Sequence, residues 1–167
     1  MRDDAWEEWE KIREEIREKI AAAGQAVQLV YRHKDDPPDS QPWMYTIGNH
    51  AVGLPELLVV DGFHEDDLEL PVSVLNRLGK MQRDRGEAFA DEELVSVGGK
   101  YPLRIVDAGE IGRAKYATLV GLYYGTRDYE VRQVVAPDTQ GRWPETPGCE
   151  VPFARQPILS RIGRTAH

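Results

Sequence analysis

The chain has 167 residues, enough for one domain with a decorated end and too few for two full domains. Its 21 Lys and Arg against 29 Asp and Glu leave a formal net charge of −8, which argues against nucleic acid as a partner because phosphates demand clustered cations. With 41% hydrophobic residues the chain can fill a core, and its single cysteine, Cys149, excludes an intramolecular disulfide scaffold.

No apolar run approaches the roughly 20 residues of a membrane helix, and the charged N-terminus lacks the pattern of a secretory signal. No membrane partner and a cytoplasmic location are therefore expected.

In chain order, Asp4 to Ala23 is predicted as an amphipathic helix. Trp6, Trp9, Ile12, Ile16 and Ile20 recur at spacings of three and four, Asp4 suits an N-cap, and Gly24 follows as a stop. Its apolar stripe must pack on the domain or on a twin helix, so a homodimer stays open as the alternative. Gln25–Arg32 alternates at Val27, Leu29 and Tyr31, which predicts a strand. Lys34 to Pro42, with its tandem Pro and its Asp and Ser, reads as a loop. Trp43–Gly48 alternates again, and Leu57–Val60 is a continuous apolar run of the kind found in a central strand. The acidic cluster Asp61, Glu65, Asp66, Asp67 and Glu69 reads as a solvated turn.

Pro71 to Arg85 is predicted as a second helix, with Val72, Leu75, Leu78 and Met81 directed inward and Gly86 ending it. Leu94–Val97 and Tyr101–Val106 form a hairpin candidate around Gly98–Gly99. Gly112 to Tyr124 favours helix over strand. Tyr129–Val135 alternates as a strand, Pro137 to Gly148 is rich in turn residues, and the tail from Val151 is expected to dock loosely.

These elements predict an α+β fold: a mainly antiparallel sheet, the N-terminal amphipathic helix and two shorter helices on one side or at one end. The expected organisation is a helix at 1–24 packed on the domain, a single α+β domain at 25–150 and a C-terminal tail at 151–167.

No metal site is expected, since His33, His50, His64 and His167 have no ligand spacing and no CxxC or HExxH occurs. Gly98–Gly99–Lys100 is not a phosphate loop, and the chain lacks a GxSxG elbow. Cys149 beside Glu150 has the wrong neighbour for a reactive thiolate. No cofactor is expected either.

Two strand ends concentrate polar and turn-forming residues: Tyr45–His50 and Gln133–Trp143. They predict one polar cleft with Tyr45, Thr46, Asn49, His50, Gln133, Asp138 and Trp143 as ligand-binding candidates. The leading expectation is a small-ligand-binding or protein-interaction module. A hydrolase is the alternative, with His50 as general base and Glu56 or Asp138 orienting it. A flavin-binding split barrel is weaker, resting on the TIG…PELLVV run alone. Whether the protein is an enzyme stays open.

YTIGNH at Tyr45–His50, PELLVV at Pro55–Val60, LN at Leu75–Asn76, YYG at Tyr123–Gly125 and QVVAPDTQGRWP at Gln133–Pro144 together resemble the bacterial and phage domain-of-unknown-function family 4262. The resemblance spans roughly residues 24 to 148. It departs at Ala136, where the family favours Trp, and at Asn49, where it favours Leu. It implies a bacterial or phage protein and carries no known activity, cofactor or catalytic residue.

Overall fold

The computed structural model describes residues 2–30, 35–37 and 40–162. The predicted strand position Tyr31 and the histidines His33 and His167 lie outside them. Six strands form one sheet: β1 (Ala26–Val30), β2 (Trp43–Ile47), β3 (Glu56–Val60), β4 (Glu93–Val95), β5 (Leu103–Asp107) and β6 (Val131–Val135), in the order β1-β2-β3-β6-β5-β4. Neighbours run antiparallel except the central pair, where β3 and β6 are parallel with Glu56 opposite Val131. The α+β prediction holds. The sheet is open, with β1 and β4 at its edges, and so differs from a split barrel.

Helices cover both faces, whereas the sequence suggested one side or one end. On one face α1 (Arg2–Ala23) and α4 (Thr118–Tyr124) enclose Ile16, Tyr45, Ile47, Leu58, Val120 and Val131. On the other, α2 (Glu69–Arg85) lays Leu75 and Leu78 against Met44, Leu57, Ile105 and Val134. This double cover explains why all five residues of β3 are buried and why its sequence is continuous rather than alternating.

α1 starts at Arg2, so Asp4 lies within its first turn instead of capping it. Ile12, Ile16 and Ile20 pack on the sheet, but Trp6 remains 60% exposed and does not join the stripe. α2 ends at Gly86, whose φ of 67° supplies the left-handed cap. The β4–β5 hairpin forms as predicted, with Val95 opposite Leu103. The segment predicted as helix over Gly112 to Tyr124 is helical in two parts, a π turn (Gly112–Tyr116) and α4, preceded by the single turn α3 (Gly109–Ile111).

The tail corrects expectation most. It docks firmly: Ile158 and Leu159 are buried, and the Gln133 side chain clamps it by donating to the Pro157 carbonyl and accepting the Leu159 N–H.

Candidate functional site

The two sequence segments expected to form one cleft start level, Tyr45 and Gln133 both flanking Leu58, but run from there to opposite ends of the sheet. β2 runs antiparallel to β3, so the turn after Ile47 returns to the start of β3. β6 runs parallel to β3, so Asp138 follows the far end of the same central pair. The run from Val131 to Asp138, extended through β6 and beyond it, puts His50 and Asp138 on the order of 20 Å apart. A sequence cannot show this, because strand direction across the long β3–β6 crossover leaves no local pattern.

At the first end, Glu56 is fully buried at the start of β3. Its carboxylate accepts the backbone N–H groups of Gly48, Asn49 and His50 at 3.0, 3.2 and 2.9 Å, the Thr46 hydroxyl at 2.8 Å and the Asn49 amide at 3.1 Å. Three consecutive N–H groups around one anion make a nest, here closed by the protein's own side chain. Gly48 makes the turn possible with a φ of 139°, and a Cβ there would stand 2.6 Å from the Gly24 carbonyl oxygen.

Thr46 Oγ1 already accepts from Leu57 N–H and from Asn49 Nδ2, so its hydrogen goes to Glu56. Burial pushes the Glu56 carboxyl up, and the donors from His50, Thr46, Gly48 and Asn49 pull it back. Asn49 continues the network to Gln25 at 2.9 Å, and Arg83 of α2 joins both Gln25 and Asn49 at 2.8 Å. These polar groups fasten β1, the β2–β3 turn and α2 together.

Tyr45 is occupied as well. Its hydroxyl accepts the Leu119 N–H at the start of α4, and burial pushes the phenol up to about 12. His50 is half-buried and lies edge-on to Tyr124, with ring centroids 4.8 Å apart. The Tyr124 hydroxyl is buried without a hydrogen-bond partner among the described residues, and burial raises its pKa. Glu56 engages the His50 peptide N–H, which is not the imidazole contact a general base requires.

At the second end, Asp138 builds its own loop. It accepts from Gln140 N–H, Arg142 N–H, Arg142 Nε and Glu150 N–H at 2.9, 2.8, 2.8 and 3.0 Å. Burial alone would raise this carboxyl, but the N–H groups of Arg142 and Glu150 and the Arg142 guanidinium hold it well below the usual range. Trp143 lies 4.8 Å from the Arg104 guanidinium and packs beside Val106, Val135 and Ile158. Cys149 is pushed up by burial and by the Asp138 charge beside it. Among the described residues no three His, Cys, Asp or Glu side chains converge as metal ligands, and no helix is long and apolar enough to cross a membrane.

A largely apolar cavity lies elsewhere, past the carboxyl ends of β3 and β6 on the α2 face. It has a volume of about 400 Å³. Val59 of β3, Phe63 after it, Val74 of α2, Val134 of β6 and Ala136 just after β6 form its apolar wall. Asp61, Arg77, Tyr101 and Gln156 supply polar groups at its margin. Of the residues singled out in the sequence, Ala136 lies here, and so does Asp61, which reads as part of a solvated acidic turn but is buried. The missed signal was an Asp-Gly pair directly after the apolar run Leu57–Val60. A wider groove of about 750 Å³ over the π turn and α4 has walls as polar as they are apolar.

No curated protein and no solved structure matches the chain. The family model described as a domain of unknown function, DUF4262, matches residues 19–150, so the chain belongs to that family.

Proposed function

We propose that the protein binds a small molecule in the cavity past the carboxyl ends of β3 and β6. The observation that carries this reading is the cavity's make-up: apolar walls, few polar groups at the margin, and a size within the range of small-molecule sites. Its position supports the same reading, since the carboxyl ends of parallel strands in a helix-covered sheet are a recurrent ligand site. The polar residues first expected to bind a ligand are spent on the fold. Thr46, Asn49 and Glu56 close the β2–β3 turn, Gln133 holds the tail, and Asp138 holds its loop.

Ala136→Phe tests the reading by filling the cavity from the end of β6. The wild-type chain should gain thermal stability with millimolar indole or phenol, and the folded variant should not. Ligand that binds only the native state stabilises by about 2.7 kcal/mol at a hundredfold excess over Kd. An equal response of the two proteins, or no response of the wild type, would overturn it.

A further inference from the structure

The charged and amide groups at the margin of the cavity already have their partners. Asp61 is buried, accepts Gly62 N–H at 2.8 Å and pairs with Arg155 Nε at 3.3 Å. Gln156, also buried, closes on the backbone: its Oε1 accepts Ala136 N–H at 2.9 Å, and its Nε2 donates to the Ala136 and Phe153 carbonyls at 2.7 and 2.9 Å. Gly62 makes room for this clamp, since a Cβ there would stand 2.5 Å from Gln156 Cδ. Arg77 stands in solvent and donates to the Val97 carbonyl. A charged ligand group would therefore shed its water in the cavity and meet no free counter-charge, which is costly. What the cavity offers instead is rings. Phe63, Tyr101 and Phe153 all line it, and among the described residues none of the three pairs with another ring. Gly141 sets the Tyr101 ring in place: its φ is 81°, and a Cβ there would stand 2.8 Å from the ring carbon Cε1.

We infer that the ligand is an uncharged aromatic molecule whose ring stands among Phe63, Tyr101 and Phe153. The inference rests on the reading of this cavity as a small-molecule site. Aromatic rings attract one another edge-to-face or offset, beyond what burial of their area supplies, because the edge of one is positive and the face of the next negative. Three rings around one space, each without a ring partner from the chain, favour a ring in that space over an aliphatic body of the same size. A volume of about 400 Å³ lies at the small end of ligand sites, the scale of one or two fused rings. A carboxylate reaching out to Arg77 would remain in water, where an exposed ion pair adds little.

The test measures heat of binding and thermal shift on the full chain with four probes of one skeleton. 2-Naphthol is aromatic and neutral, decahydro-2-naphthol is its saturated counterpart, and 2-naphthoate and 2-naphthylmethylamine add a negative and a positive charge. 2-Naphthol should bind about tenfold tighter than each of the other three. Tyr101→Leu and Phe153→Leu, at partly exposed positions, should keep the fold and lose most of the advantage over the saturated alcohol. Ser73→Trp, at an exposed position of α2 on the cavity's margin, blocks the site independently of Ala136→Phe. The inference falls, with the cavity reading intact, if another probe matches 2-naphthol and both are lost in the blocking variants, or if the advantage is unchanged in both Leu variants. Binding of none of the four, or binding that survives both blocking variants, overturns the inference and the cavity reading together.

Discussion

Glu56 meets His50 through the peptide N–H, 2.9 Å from Oε2, and so fixes the turn that carries the imidazole. The same carboxylate holds the two preceding peptide N–H groups. Glu56→Gln would turn an amide NH₂ toward these donors. The expected loss is about 3 kcal/mol, read as a lower urea midpoint at unchanged m-value. A variant with wild-type stability would show that the nest is dispensable.

Asp138 makes acid stability depend on its loop. Its folded pKa lies below the ordinary value of 3.8, so the native state resists protonation more than the unfolded chain does. The contribution is present above pH 3.8 and is lost as the pH falls from there through the folded pKa. Asp138→Asn should therefore be less stable than wild type at pH 6, and the gap should narrow below pH 3.8. Urea titrations from pH 2 to 6 check this, and a gap that stays constant would contradict it.

Helix α1 divides between a packed and an unpacked portion. Ile16 is 1% exposed, and Ile16→Asp would bury an unpaired carboxylate against the sheet, costing about 4 kcal/mol. Trp6→Ala should change stability by less than about 0.5 kcal/mol in dilute protein. Melting curves of both variants make the comparison. A melting temperature that climbs with wild-type concentration, and does not in Trp6→Ala, would assign Trp6 to a seam between two chains.

Gln133 holds the segment after the second strand end to the centre of the sheet. Gln133→Ala should release it, loosening the backbone around the already exposed Arg155 and Arg161 so that trypsin cuts there several times faster than in wild type, and costing about 2 kcal/mol. Equal cleavage of the two proteins would argue that Ile158 and Leu159 alone suffice.

Much of the fold is legible from periodicity. The run Leu57–Val60 announces a strand covered on both faces, and Leu75 and Leu78 mark the inner side of α2. What periodicity cannot carry is the direction in which distant strands meet, and that direction separates His50 from Asp138. Polar residues misled for a related reason. Thr46, Asn49 and Asp138 look available in a sequence, but each is already bonded by groups that only the folded chain brings to it: Leu57 N–H to Thr46, the Gln25, Glu56 and Arg83 side chains to Asn49, and Arg142 N–H to Asp138. Asp61 was obscured by its exposed neighbours Glu65, Asp66 and Asp67, with which it shares a charge and little else.

The parallel pairing of β3 with β6 sets an order of events during synthesis. The chain must lay down α2, the β4–β5 hairpin and α4 before β6 exists to cover the inner edge of β3. Until then a nascent chain carries a bare edge that is apolar from Leu57 to Val60, and non-local pairings of this kind close slowly. A fragment stopped before Val131 would not be a smaller version of the domain. It would present β3 to other chains and precipitate, so the last strand of the sheet also serves as its guard against self-association.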